Sequence, residues 1–182
     1  MSGTITFLTI NIIGGIAVLG GYAVCLYFFP DQREALWGGV QNGLQSIFTV
    51  SMLLAAAGYL AFSYGIMFKS SPEEFSSKLF ASRYSISILC LIFLISASIW
   101  MPATIAYLKT NNSIWWILSV TSLWITAISL FIATTILITN PLAISSSFYR
   151  VLVISGISYI TFHCLVLDAI IWVTRFHLPL RN

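Results

Sequence analysis

Five long apolar segments dominate the chain, and nearly all of its charged residues fall between them. A helix needs about 20 apolar residues to cross the ~30 Å hydrocarbon core of a bilayer. Only 7% of the residues are charged, against roughly 25% in an ordinary soluble domain. The pattern predicts an integral membrane protein whose spans lie at residues 6–29, 46–68, 84–108, 113–139 and 151–174.

These segments are expected to be helices packed in one bundle. Irregular backbone exposed to lipid would leave its amides and carbonyls without partners, and the ~10-residue alternating segments of a membrane β-barrel are not visible. The connections are short and polar, and no second domain fits within them. Residues 1–182 are therefore predicted to form a single all-α domain, a bundle of five transmembrane helices with short loops.

The connection between the second and third spans differs from the others. It reads KSSPEEFSSKLFASR, in which Ser71 precedes a proline and Glu74 follows three residues later. A capping serine, a proline at the first helical position and a glutamate at the third together signal the start of a helix. This pattern predicts one short surface helix that runs to about Leu79.

Charge alone does not set the orientation of the bundle. An odd number of spans puts the two ends of the chain on opposite faces, and the Lys and Arg residues divide evenly between those faces. Three of the charges on the N-terminal face lie in one short loop, whereas most tryptophans gather towards the other face, as an interfacial aromatic belt would. The pattern favours a cytosolic N-terminus and a C-terminus on the outer side.

The last span contains two residues that are unusual in hydrocarbon, His163 and Asp168. Asp168 is the only acidic residue within any predicted span. An ionised carboxylate there costs at least about 2.5–3.5 kcal/mol, so we expect Asp168 to face protein or a water-filled cavity and not lipid. At about 100° per residue of α-helix the two side chains would point roughly 140° apart, and each would find a different partner.

Two interpretations of these residues remain open. In the functional one, Asp168 carries a proton or anchors a polar group of a ligand. In the structural one, it bonds a hydroxyl or an indole of another helix. His163 shares an i, i+4 stripe with Tyr159, and a neutral imidazole bonded to one hydroxyl would account for it without a function. Tyr159 joins the candidates because it lies on that stripe.

The third span adds a further candidate, Trp100, in the segment ISASIWMPATIAY. It lies at about the same depth as Asp168, and its indole N–H needs an acceptor there. Pro102 follows it and frees a backbone carbonyl. Trp100 and Asp168 are therefore predicted to bound a pocket near the C-terminal face of the bundle.

Small residues indicate where helices approach each other closely. Gly14, Ala17 and Gly21 fall on one face of the first span, and Gly58 ends a run of small residues in the second. In a membrane, such residues mark contacts between helices. We expect them to join the first two helices to each other or to another subunit.

Sequence motifs for catalysis, metal binding and nucleic-acid binding are not found. The chain has no nucleophile elbow, no HExxH, no carboxylate cluster and no basic run, which are the common signatures of those functions. Its three cysteines lack the spacing of metal ligands. The sequence predicts no catalytic residues, no metal site and no nucleic-acid partner, and it does not identify a cofactor.

Three functions remain, and the sequence favours a non-enzymatic one. The first is the binding or passage of a small apolar or amphipathic ligand, such as a lipid, a sterol or a pigment, in the pocket near the C-terminal face. The second is a structural or accessory role, as a subunit of a larger membrane complex or of a homo-oligomer. The third is a membrane-embedded enzyme that uses His163 and Asp168, which their predicted divergence disfavours.

Overall fold

A computed structural model describes residues 3–75, 84–140 and 146–176 of the 182-residue chain. Within these ranges the protein consists of helices and turns, and five helices are long and apolar enough to cross a membrane. The predicted all-α bundle of five spans is confirmed, and the ends of the spans differ from the predicted ones by about one helical turn at most. The helices are α1 (Gly3–Phe28), α2 (Gly43–Phe68), α3 (Ser85–Thr110), α4 (Ser113–Thr139) and α5 (Ser147–Arg175).

Polar side chains stop and start the helices at their ends. Asn111 adopts the left-handed conformation (φ 50°) that ends α3, and the Asn112 side chain accepts a hydrogen bond from the amide of Ile114 (3.0 Å) at the start of α4. At the other face, the amide of Gly3 donates to Glu73 Oε1 (2.6 Å). The carboxylate thereby satisfies one of the free amides at the N-terminus of α1 and complements the helix dipole.

The connection between α2 and α3 begins as the sequence predicts. Ser71 Oγ accepts a hydrogen bond from the amide of Glu73 (3.4 Å), and one 3₁₀ turn covers Pro72–Glu74. The turn ends at Phe75, which is not helical (φ −97°, ψ 66°), and the rest of the predicted surface helix, residues 76–79, lies outside the described part of the chain.

The helices are not packed in the order of the sequence. α3 lies between α1 and α4, and α5 lies between α4 and α2. α1 touches α2 far less, and a hydrogen bond from the Tyr59 hydroxyl to Asn11 Oδ1 (2.6 Å) links them near the start of α1. α1 is also the outermost helix, since its only buried residues are Gly3, Phe7 and Cys25. α3, α4 and α5 therefore hold the central positions of the bundle, and Phe62 and Ile66 of α2 belong to the same core.

Hydroxyl groups join the three central helices to each other. Three side-chain hydrogen bonds of 2.7–2.8 Å cross between them: Ser96 to Thr126 and Thr104 to Ser119 between α3 and α4, and Thr134 to Thr161 between α4 and α5. Interhelical hydrogen bonds of this kind stabilise membrane bundles, in which no hydrophobic force drives the helices together.

Gly14 and Gly21 of α1 face α3 and not α2. A Cβ atom added at Gly14 would lie 2.6 Å from Leu94 of α3, and one at Gly21 would lie 4.0 Å from the carbonyl oxygen of Ser98 in the same helix. Ala17 is exposed. The expected contact between the first two helices is therefore wrong for this face, because α3 takes the place beside α1.

Gly58 of α2 packs instead against Gly156 of α5. A Cβ added at Gly58 would lie 2.7 Å from the Gly156 carbonyl oxygen, which is too close for any side chain. The two helix backbones touch at this point, as small residues permit in membranes. The sequence predicts a close helix contact at Gly58 but does not identify Gly156 as its partner.

Residues 29–42, which we call the first loop, fold back over the end of the bundle. The indole N–H of Trp172 donates to the Leu36 carbonyl (2.9 Å), which ties the loop to α5. Gly38 has a positive φ (58°) and lies against the Phe176 ring, where an added Cβ would clash at 2.6 Å. Glycine is the residue that adopts this conformation without strain. The first loop thus covers the C-terminal face of the bundle.

Candidate functional site

The C-terminal half of α5 departs from α-helical geometry, and this change brings His163 and Asp168 together. Residues His163–Trp172 form a π-helix. The hydrogen bonds of a π-helix join residues five positions apart, so residue i+5 lies close to residue i on the same side of the helix. His163 Nε2 lies 3.6 Å from Asp168 Oδ2. The predicted divergence of these side chains is therefore wrong, since it assumed an α-helix.

His163 is also hydrogen-bonded across the interface with α2. Its Nδ1 lies 2.9 Å from Ser51 Oγ, and the Tyr159 hydroxyl donates to the same oxygen (3.2 Å). Both His163 and Ser51 are buried. Tyr159, Ser51, His163 and Asp168 thus form one continuous row, which we call the polar chain.

One arrangement of protons satisfies the polar chain throughout. The Tyr159 O–H donates to Ser51 Oγ, the Ser51 O–H donates to His163 Nδ1, and the remaining N–H on Nε2 points towards the Asp168 carboxylate. This is the neutral imidazole with one donor and one acceptor nitrogen. Tyr159, Ser51 and His163 then each have a partner, and Asp168 stands at the end of the chain.

Asp168 lines a cavity of about 190 Å³ under the first loop. The carboxyl side chain is 24% exposed, and the surface it exposes lies at this cavity. All five helices and the first loop contribute to the walls, which are mostly apolar. The aromatic residues among them are Tyr22, Trp37, Phe48, Trp100 and Trp172.

The indole N–H groups of Trp100 and Trp172 are hydrogen-bonded within the protein. The Trp100 indole donates to the Tyr22 hydroxyl (2.8 Å), and the rings of these two residues meet edge to face. Trp172 meets Trp100 in the same way, with ring centroids 5.6 Å apart, while its own N–H is bonded to the first loop. The indole N–H of Trp100 therefore has the hydrogen-bond acceptor that it needs within the membrane. Trp100 also lies on the wall of the same cavity as Asp168.

A second, shallower space lies on the outer surface between α2 and α5. It measures about 370 Å³ and is lined by Ser51 and Tyr159 together with apolar residues such as Val50 and Phe162. The polar chain therefore runs from this outer groove at Tyr159 to the inner cavity at Asp168.

Sequence reasoning missed three residues of this site. Ser51 gives no signal by itself, because serines are common in these spans and only the fold shows which one faces His163. Tyr22 could have been identified from the sequence, because it is a polar aromatic residue near the depth of Trp100. Arg33 also lines the cavity, and its Nε donates to the Leu26 carbonyl near the end of α1 (2.8 Å).

No group of three or more His, Cys, Asp or Glu side chains that could hold a metal ion occurs among the described residues. Comparisons with protein-family models, with curated proteins and with solved structures find no match to this chain. The cavity and the polar chain are therefore the features of this chain that point to a function.

Proposed function

We propose that the protein binds a small amphipathic molecule in the cavity under the first loop. The observation that carries this proposal is the cavity itself, whose apolar aromatic walls hold one carboxylate at a depth where carboxylates are costly,. Ligand sites are typically concave and apolar, with a few polar groups that orient the ligand. Asp168 is the group expected to fix the polar end of the ligand.

The size of the cavity narrows the class of ligand. About 190 Å³ is below the roughly 300–1,000 Å³ of sites for drug-sized molecules. A single ring or a short chain fills such a space. Of the ligands that the sequence suggests, a whole sterol or pigment is therefore less suitable than a small amphiphile or the end of a lipid.

The ligand is expected to enter from the bilayer between α1 and α2. These helices pack weakly against each other, and Leu26 of α1 and Met52 of α2 both line the cavity while remaining partly exposed. The water-facing side is covered by the first loop, which Trp172 and Phe176 hold in place. A lateral opening suits a molecule that dissolves in lipid.

A pair of tryptophan substitutions tests this proposal. Met52→Trp fills the cavity, whereas Leu53→Trp adds the same bulk at the next residue, which is 70% exposed on the outer surface. Benzylamine, benzyl alcohol and benzoate serve as probes of one-ring size, measured by saturation-transfer NMR on the protein in nanodiscs. Binding of at least one probe should be lost in Met52→Trp and kept in Leu53→Trp.

The proposal fails if none of the three probes binds, or if both variants bind them as the parent does. Mass spectrometry of the protein purified in mild detergent adds a second measurement. A small molecule that copurifies with the parent and with Leu53→Trp, but not with Met52→Trp, would identify the natural ligand.

A role as a subunit of a larger membrane complex is the second candidate. It is favoured by the outer face of α1, where Ala17 is exposed and a Cβ added at Gly15 or Gly20 would meet nothing within 4 Å. Small residues on a lipid-facing surface are suited to contact with another helix. Photocrosslinking from Ile16, which is 68% exposed, should then capture a protein, whereas crosslinks to lipid alone would count against this role.

The enzymatic alternative gains a geometric basis from the π-helix. Ser51, His163 and Asp168 follow one another in the order of a nucleophile, a base and an orienting acid,. The backbone amides around Ser51 are engaged in α2, however, so a pair of donors for an oxyanion is not available there. Labelling of Ser51 by a fluorophosphonate, lost in His163→Gln, would favour this function over ligand binding.

We place the first loop and the cavity on the outer side of the membrane and the N-terminal end of α1 on the cytosolic side. The support is the distribution of charges and tryptophans in the sequence,. Single cysteines at Asp31 and Lys69, both exposed and on opposite faces, test this placement. A membrane-impermeant maleimide added to whole cells should label the cysteine at residue 31 only, and labelling of residue 69 instead would reverse the orientation.

A further inference from the structure

The Asp168 carboxylate has few strong donors around it. His163 Nε2 is 3.6 Å away, beyond the roughly 2.7–3.2 Å of a hydrogen bond. An ionised carboxylate can accept several hydrogen bonds. The side of the carboxylate that is open to further donors faces the cavity.

The aromatic walls offer the complementary environment for a positive charge. Tyr22, Trp100 and Trp172 form a row of edge-to-face contacts, with centroids 5.9 Å and 5.6 Å apart. Aromatic faces attract cations, most strongly in the case of tryptophan and in places shielded from water. The indole N–H groups of Trp100 and Trp172 are bonded to protein acceptors and are not available to an anionic or acceptor group of a ligand.

Arg33 is the one basic residue on the cavity wall among the described residues, and it lies at the outer end. It is exposed and anchored through Nε to the Leu26 carbonyl. Water and salt screen an exposed charge more strongly than a buried one. The repulsion between Arg33 and a cation at the mouth of the cavity is therefore weaker than the attraction between Asp168 and a cation at the inner wall.

We propose that the ligand of this cavity is an organic ammonium ion whose apolar part is about the size of one aromatic ring. Its nitrogen lies against Asp168, and its apolar part packs among Trp100, Trp172 and Phe48. A cavity of about 150 Å³ accommodates benzene, so about 190 Å³ accommodates a ring with an aminomethyl group. This inference rests on the proposed function and specifies the charge of the ligand.

The three benzyl probes differ in charge and hardly in size, so their ranking tests the inference. Benzylamine is protonated at neutral pH, benzyl alcohol is neutral and benzoate is an anion. Charge-assisted hydrogen bonds are roughly twice as strong as neutral ones, and tenfold in affinity corresponds to 1.4 kcal/mol. Benzylamine should bind the parent about tenfold more tightly than benzyl alcohol, counting only the binding that Met52→Trp abolishes.

Matched variants assign this preference to one carboxylate. Asp168→Asn keeps the shape of the side chain and removes the charge, so it should reduce the tenfold preference to about onefold. Asp31→Asn removes an equal charge from the exposed first loop and should leave the preference unchanged. Asp168→Glu, which retains the charge, should keep a preference for benzylamine, and it serves as the comparison if Asp168→Asn does not fold.

The outcomes separate this inference from the proposed function. Equal binding of benzylamine and benzyl alcohol, both abolished by Met52→Trp, would overturn the cationic ligand and retain the cavity as a ligand site. Tighter binding of benzoate would also overturn it and would assign recognition to Arg33. A failure of all three probes would reject the proposed function itself.

Discussion

The contact between α2 and α5 differs sharply between its middle and the end that lies nearer the first loop. In the middle, Gly58 and Gly156 bring the two backbones together so closely that no side chain fits between them. Two turns further on, Ser51 and His163 occupy the same interface and meet through a hydrogen bond. The same pair of helices is therefore held by backbone contact at one level and by polar side chains at the next.

This difference shows how one pair of helices can pack closely and still leave room for a cavity. Close backbone packing fixes the position of α5 along α2, and this leaves the segment after Phe162 free to change its geometry. The π-helix that follows widens the turn and directs Asp168 to the cavity. Wide turns of this kind occur frequently at functional sites. The glycine contact and the polar chain should therefore respond differently to substitution.

The largest effect is expected at the glycine contact. Gly156→Leu places a side chain against the backbone of α2 and forces the helices apart, which should lower the free energy of unfolding by about 3 kcal/mol or more. Gly20→Leu is the control, because a Cβ at Gly20 meets nothing within 4 Å, and it should change stability by about 0.5 kcal/mol at most. Unfolding in SDS, followed by circular dichroism, measures both. Equal stability of the two variants would show that the backbone contact is unimportant.

The spans were predictable because they depend on a single property, the length of an apolar run. The tight turn at Asn111 and Asn112 also follows from local chemistry, since asparagine tolerates the left-handed conformation and caps helices,. The neighbours of each helix could not be predicted in the same way. Gly14 and Gly58 have the same small surface, yet one faces α3 and the other α5.

The candidate site was predictable in its composition but not in its geometry. Asp168 and Trp100 stand out in the sequence because a carboxylate and an indole N–H both need partners in hydrocarbon, and both line one cavity. The proximity of His163 to Asp168 depends on a π-helix, and no residue in HCLVLDAIIW signals one. Ser51 and Tyr22 depend on which helices become neighbours, which a single sequence does not encode locally.

The next largest effect is expected at Ser51, the residue that joins the two helices in the polar chain. Ser51→Ala leaves both His163 Nδ1 and the Tyr159 hydroxyl without their shared partner. A buried polar group left alone costs about 1–3 kcal/mol, and of these two residues His163 is buried and Tyr159 is half-buried. We expect a loss of about 2–3 kcal/mol in the SDS unfolding measurement. Ser98→Ala is the control, because that hydroxyl bonds only a carbonyl of its own helix in an exposed position. A Ser51 variant no less stable than the Ser98 variant would show that the polar chain does not stabilise the protein.

A smaller loss is expected at Asp168, whose contact with His163 is longer than a hydrogen bond. Asp168→Leu leaves Nε2 facing a methyl group and should lower stability by about 1–2 kcal/mol. Asp168→Asn keeps an oxygen in place and should lie between the leucine variant and the parent. A leucine variant as stable as the parent would show that Asp168 is not part of the structural network, and the aspartate would then be explained by ligand binding alone.

The smallest effect is expected at Tyr159, the end of the polar chain at the outer groove. Tyr159→Phe removes one donor and leaves the Ser51–His163 hydrogen bond intact, so the expected loss is about 0.5–1.5 kcal/mol, the usual net contribution of one hydrogen bond. Tyr27→Phe is a matched control, since Tyr27 is 75% exposed on α1. The double variant Tyr159→Phe with Ser51→Ala should lose no more than Ser51→Ala alone, because the donor has no acceptor once Ser51 is gone. Additive losses would mean that Tyr159 stabilises the protein through its ring and not through the polar chain.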